Sequence, residues 1–166
     1  MYNPIYLIII YPIIYIWPAY VANGAPVIFG RGAPIDGGRK LRGKPIFGKH
    51  KTIIGLIAGL LAGFIMAAVE SAFLPYMLAA GIAMTFGTHF GDLFGSFMKR
   101  QLGMKEGKPF LLFDQYFFFI FALLFALPFG HMPSVWGLVF LTVLTGVLHK
   151  ATNMGAHKAK LKDVPW

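Results

Sequence analysis

Residues 51–100 read KTIIGLIAGL LAGFIMAAVE SAFLPYMLAA GIAMTFGTHF GDLFGSFMKR. Two apolar runs, 53–69 and 76–91, are parted by Glu70, Ser71 and Pro75. Cations stand only at the two ends, at Lys51 and at Lys99–Arg100. About twenty apolar residues cross the hydrocarbon core of a bilayer as one helix. The pattern therefore predicts a helical hairpin through a membrane, with both ends on one side and a short turn on the other.

The flanking sequence extends the arrangement. A first apolar run covers about 3–22, with Pro12 and Pro18 inside it, which a membrane helix tolerates when neighbours satisfy the freed carbonyls. No charged segment precedes the run, and Tyr, Trp and Pro crowd it, so it is not read as a signal peptide. Two more runs, about 111–128 and 134–150, are split by PFGHMP. The expectation is an all-α polytopic membrane protein with about five transmembrane helices, forming one membrane-embedded domain over 1–166. No internal repeat or low-complexity tract is present.

Composition agrees. Of 166 residues, 57% are hydrophobic and 13% charged, against about 25% charged in ordinary soluble domains; the mean hydropathy is +0.67. These values exclude disorder, collagen and coiled coil. Zero cysteines exclude disulfide scaffolds, thiol catalysis and Cys-based zinc sites. The net charge of +9 is read as basic membrane loops and phosphate-bearing ligands, with no nucleic-acid partner expected. Lys and Arg number seven in 24–52, four in 92–110 and four from Lys150 onward, which accounts for all fifteen. The positive-inside rule then puts the N-terminus outside and the C-terminus in the cytoplasm.

Polar chemistry collects at the cytoplasmic ends of the spans. A channel or transporter needs polar groups near the midplane. This pattern favours instead an enzyme of the cell membrane, facing the cytoplasm, that joins a lipid to a water-soluble cosubstrate. Of six acidic residues, Asp36, Asp92 and Asp114 lie in or beside apolar surroundings on that side. Such carboxylates are paired, hydrated or metal-bound. For Asp114, in the run FLLFDQYFFF, a salt bridge to Lys99 or Arg100 is one reading. Mg2+ coordination is the other, since magnesium takes one or two carboxylates plus substrate phosphates.

If span three continues as a helix, Asp92, Ser96, Lys99 and Arg100 share a face. That face offers a carboxylate, a hydroxyl and two cations, suited to phosphate beside a metal. An ordinary interface-anchoring helix end carries similar cations. Gly43-KPIF-Gly48-Lys49 matches the start of a P-loop, but His50 stands where Ser or Thr is required and no strand precedes it, so that reading fails. Eight glycines between 24 and 55 and seven cations still suit phosphate contacts. Thr52 reads equally well as an N-cap. His89 lies one turn before Asp92, and no histidines have zinc-site spacing. The Phe117–Phe121 cluster reads as packing surface, and His131 as a residue of an outer turn without chemistry.

At Ser96-x-x-Lys99-Arg100-x(4)-Lys105-Glu106, followed by Asp114-Gln115, the sequence resembles the CTP-dependent lipid cytidylyltransferases. Glu106 stands for an Asp of that signature, the His-Gly-Gly segment is absent, and the terminal Asp-rich cluster shrinks to Asp114-Gln115. These departures resemble the short archaeal branch, the CDP-archaeol synthases, as do the chain length, the five-span layout, Asn23 and Pro34-Ile35-Asp36-Gly37. The resemblance implies that CTP and an unsaturated isoprenoid ether-lipid phosphate give a CDP-activated lipid and pyrophosphate, with Mg2+. In that frame Asp92 and Asp114 hold Mg2+, with Asp36 as a third ligand or the partner of a metal-bound water. Lys99 and Lys51 neutralise phosphates. Ser96, Thr52 and Asn23 hydrogen-bond the triphosphate or base, and Arg100 meets the lipid phosphate, with His89 or His149 as lesser alternatives. Rival readings are the same chemistry on a diacyl phosphatidate, a CDP-alcohol phosphotransferase (its Asp-Gly-x-x-Ala-Arg pattern is missing), a small transporter, or a passive assembly subunit.

Overall fold

The computed structural model describes residues 3–104 and 110–161, apart from the side chains of 111–115. Among the described residues the chain forms five long α-helices. A π-helical turn, Tyr6–Ile10, runs into α1 (Tyr11–Phe29). Pro12 has no N–H for the preceding turn and so widens it. A loop then carries a two-stranded antiparallel hairpin, β1 (Lys40–Leu41) and β2 (Lys44–Pro45), in which Lys40 pairs with Pro45 and Leu41 with Lys44. Next come α2 (Ile53–Ser71), α3 (Met77–Gln101), α4 (Leu111–Ala126) with a 3-10 turn at Leu127–Phe129, and α5 (Val135–Lys158).

Three of the described helices, Tyr6–Phe29, Ile53–Ser71 and Val135–Lys158, are long and apolar enough to cross a membrane, and Tyr116–Phe129 is a shorter apolar helix. Many of their large aliphatic residues face outward. Along α2, Ile57, Leu61, Ile65 and Val69 are each at least half exposed, whereas Gly55, Gly59, Gly63 and Ala67 are buried. That inversion suits lipid as solvent, where helices associate through close backbone contact between small residues.

The α3–α4 contact follows the same rule. A β-carbon on Gly87 would lie 2.3 Å from the Phe121 carbonyl oxygen, and one on Gly91 would lie 2.3 Å from that of Phe117. Helix α3 is the central element, packed on α1, α2 and α4. Around it Tyr15, Ile16, Met77, Met84, Phe118 and Leu141 form the buried core. Thr85, Thr88 and His89 are buried too, so the polar residues of α3 face protein and not lipid.

Two boundaries differ from the hydropathy reading. Helix α1 continues to Phe29, through Asn23-Gly24-Ala25-Pro26, which the sequence alone assigns to a basic loop. Packing overrides the local signal here. Ala22 and Pro26 lie against the open faces of Gly59 and Gly55 on α2. Helix α5 likewise runs to Lys158, well beyond its apolar stretch.

At the end of the bundle away from the hairpin, aromatic contacts join the connections. The Tyr11 hydroxyl donates to the His131 carbonyl. Tyr76 donates to the Tyr11 hydroxyl at 3.1 Å, and its ring stacks on His131 with centroids 3.8 Å apart. His131 therefore has a packing role.

A β-carbon at Gly87 forces two backbones apart, while Gly24 has no atom within 4 Å of its β position. Gly87→Ala should destabilise the protein by about 1–3 kcal/mol. Gly24→Ala should be neutral or stabilise it by up to about 1 kcal/mol. Thermal unfolding in detergent measures both.

Candidate active site

Residues on either side of the hairpin loop bind it to two helices. Ile35 N–H donates to the Lys51 carbonyl at 2.8 Å, and Ile53 N–H to the Ala33 carbonyl at 3.0 Å. These bonds flank a bridge between Pro34 and Thr52, a position where the missing proline N–H costs no ladder bond. Thr52 caps α2, its Oγ1 accepting from the Gly55 N–H at 3.1 Å. At the other side Lys44 Nζ donates to the Gln101 carbonyl at 2.5 Å, and Gln101 Nε2 to the Pro45 carbonyl at 3.2 Å. A lysine on the last carbonyls of α3 also complements the helix dipole. The loop thus spans from the start of α2 to the end of α3.

Inside the loop Asp36 is an organiser. Its Oδ1 accepts from Gly38 N–H at 2.9 Å, and its Oδ2 from Phe47 N–H at 2.9 Å and Gly48 N–H at 3.4 Å. The expectation that this carboxylate is a third metal ligand meets a group already engaged by three loop amides.

Beneath the loop, Lys51 Nζ lies 2.5 Å from both Oδ1 and Oδ2 of Asp92. The two side chains keep 25% and 34% of their surface exposed. Asp92 thus pairs across the fold with Lys51. A cavity of about 40 Å3 adjoins the pair, lined by Pro26, Ile35, Lys51, Thr52, His89 and Asp92 among others. His89 reaches it over Gly59, where a β-carbon would lie 2.5 Å from Nε2. That nitrogen is buried without a regular hydrogen-bond partner among the described residues.

Helix α3 continues unbroken through Asp92, Ser96, Lys99 and Arg100, so the four fall along one face as their spacing requires. Ser96 and Arg100 are buried, and Lys99 is half-buried. Asn23 is a half-buried residue of α1 itself, one turn before Pro26, and does not follow the span. The Asp114 and Gln115 side chains, and all of Lys105 and Glu106, lie outside the described residues. The α4 backbone bears on Asp114 nonetheless. Phe117 and Phe118 abut Gly91, and the Phe117 ring abuts Gly95. Antiparallel packing therefore brings the first turn of α4 to the level of the α3 turn that carries Asp92.

Among the described residues no cluster of three His, Cys, Asp or Glu forms a metal cage. Among the described residues the donor set here is the accessible Asp92 carboxylate, with Lys51 and Thr52 beside it. That set fits a magnesium ion whose remaining ligands are phosphates and waters. Sequence reasoning missed the Lys51–Asp92 pair, the Lys44–Gln101 tether and the seat of His89. The last had a signal, the Gly55-x(3)-Gly59-x(3)-Gly63 stripe. The first two join residues 41 and 57 positions apart and had none.

Desolvation alone would raise the Asp36 pKa, but the N–H donors of Phe47, Gly38 and Gly48 outweigh it and hold the carboxyl below its ordinary value. A depressed carboxyl stabilises the fold fully above its unfolded pKa of about 3.9. That stabilisation is lost as pH falls through the lower folded value. Exchange protection of the Phe47 and Gly38 amides should hold between pH 7 and 5 and fall only below about pH 4. Asp36→Ala should lack the protection throughout. Hydrogen exchange read by mass spectrometry checks this.

The model of the CarS-like family, CDP-archaeol synthase, matches residues 5–166. Proteins described as CDP-archaeol synthase from Pyrococcus abyssi and Pyrococcus horikoshii are 42% and 44% identical to this chain. Each alignment covers 92% of it, and 95% and 94% of the relative. One from Methanococcus aeolicus is 39% identical, covering 98% of both chains. A solved structure, reported as an intramembrane enzyme for archaeal membrane lipids biosynthesis, superposes with a TM-score of 0.79 at 34% identity. It covers 86% of this chain and 92% of that one. The chain belongs to the CDP-archaeol synthase family.

Proposed function

We propose that this protein transfers the cytidylyl group of CTP to an unsaturated archaeal ether-lipid phosphate, 2,3-bis-O-geranylgeranylglyceryl 1-phosphate, giving CDP-archaeol and pyrophosphate. Family membership supports the reaction class. The observation that carries the assignment of a site is the Asp92 carboxylate, set beside Lys51 and Thr52 under a basic, glycine-rich loop, with Ser96 and Arg100 farther along the same face of α3.

A lipid-phosphate oxygen attacks the α-phosphorus of CTP, and the bond from that phosphorus to the bridging oxygen of the β-phosphate breaks. The nucleophile is already anionic, so no side chain has to remove a proton. Catalysis is then positioning and charge neutralisation. Asp92 and Asp114 hold Mg2+, which when bound offsets the charge of the triphosphate. Asp36 shapes the loop that meets the nucleotide and is a third candidate ligand. Lys51 and Lys99 neutralise phosphates. Thr52, Ser96 and Asn23 hydrogen-bond the nucleotide. Arg100 meets the lipid phosphate, and the isoprenoid chains lie in apolar grooves at the bundle surface.

The topology belongs to the same proposal: five spans in one domain, N-terminus outside, C-terminus and site in the cytoplasm. All Lys and Arg then fall on one side. The chain has no native cysteine, so single cysteines report cleanly. In right-side-out vesicles, Cys at Phe73 should react with an impermeant maleimide, and Cys at Lys40 or Lys160 should react only after permeabilisation.

The function is tested by pyrophosphate release from purified protein in detergent. CTP, Mg2+ and geranylgeranylglyceryl phosphate should support release. ATP, or omission of metal, should not. Release with phosphatidate alone would move the enzyme to the diacyl branch, and silence with every lipid would refute the assignment. Asp92→Asn should lower kcat by about 100-fold or more with an unchanged Tm. Full activity in that variant would remove Asp92 from the metal site.

A further inference from the structure

The Lys51–Asp92 pair sets two roles of Asp92 in conflict. Both carboxylate oxygens face the Lys51 ammonium at 2.5 Å. A divalent cation on Asp92 needs at least one of those oxygens, and a cation that close to Nζ is strongly repelled. The ammonium and the bare ion therefore compete for one carboxylate.

Lys51 can yield without disturbing the fold. Its backbone carbonyl is fixed by the Ile35 N–H, and the neighbouring Thr52 holds the α2 cap. Its side chain is a quarter exposed and flexible, so the ammonium can swing while the main chain stays in place. Among the described residues Asp92 is the anion it pairs with, so leaving Asp92 calls for another anionic partner. A polyphosphate arriving with the metal supplies one, and the start of α2 lies beside it as a surface that favours anions. Charge then balances in both states: ammonium on carboxylate before binding, ammonium on phosphate and metal on carboxylate after it.

We propose that Lys51 is a counter-ion with two posts. It keeps Asp92 closed to a free divalent cation and releases it only to a cation that carries a polyphosphate. The ligand of the site is therefore a metal–nucleoside triphosphate complex, not the bare ion. This rests on the reading of Asp92 as a metal-binding carboxylate.

The test uses full-length protein in detergent without lipid acceptor, so that no turnover occurs. Mn2+ is the metal probe, and its free concentration is read by electron paramagnetic resonance. Retention of labelled CTP with Mn2+ is read by equilibrium dialysis. Wild type should bind Mn2+ alone weakly. Lys51→Met and Lys51→Gln should bind Mn2+ alone about tenfold more tightly. Lys51→Arg should behave as wild type, and adding Asp92→Asn to Lys51→Met should abolish the gain. Unchanged or weaker Mn2+ binding in both neutral variants, with wild-type thermal unfolding, overturns the proposal. So does a gain in Lys51→Arg equal to theirs. The underlying reading fails separately: Asp92→Asn would then retain CTP with Mn2+ as wild type does. Loss of that retention in Asp92→Asn, together with unaltered Mn2+ binding in the neutral Lys51 variants, keeps Asp92 as a ligand and removes the role given to Lys51.

Discussion

At Gly87 and Gly91 the α3 main chain lies so close to the carbonyls of Phe121 and Phe117 that no β-carbon fits between them. In water a helix pair is driven together by burying large apolar side chains. In lipid that drive vanishes, and dispersion contacts between close backbones replace it. The stripes of glycine and alanine on α2 and α3 are the sequence form of this constraint. They explain why the large aliphatic residues lie outside and the small ones inside.

The site depends on the same contacts. Close packing of α3 on α4 raises the first turn of α4 to the level of Asp92. The open face of α2 at Gly59 admits His89, and at Gly55 it admits the cap of Thr52 and the turn of α1 that carries Pro26. The polar residues of α3 are tolerable at this depth because three helices surround them. That is also why α3 is less apolar than its neighbours. A central helix in a membrane bundle need not dissolve in lipid.

Charge is handled at the rim. The loop between α1 and α2 is held by backbone bonds at 33–35 and 51–53, by the tether from Lys44 to the end of α3, and by the Asp36 carboxylate on its own amides. This strap carries seven of the fifteen Lys and Arg residues across the mouth of the bundle. The opposite end is closed by tyrosines and His131 and holds almost no charge. Such an asymmetric bundle suits chemistry between a lipid and a soluble anionic cosubstrate.

Hydropathy alone made the helical membrane architecture legible, because each apolar run reports its own preference for lipid. Local rules also revealed the Thr52 cap and the shared face from Asp92 to Arg100, since both depend on neighbours within two turns. The end of α1 was hidden, because Asn23-Gly24-Ala25-Pro26 is loop-like by composition and is helical only against α2. The use of Asp36 was hidden too: a carboxylate in a glycine-rich loop reads equally as a metal ligand or as an acceptor for amides. The sequence by itself determined that the chain is helical and rich in segments apolar enough for a membrane, and where along the chain the cations cluster, for these depend on solvent preference residue by residue. Only the tertiary structure decided that Lys51 meets Asp92, 41 residues away. Such a pairing depends on how the helices stand against one another, which local pattern does not encode.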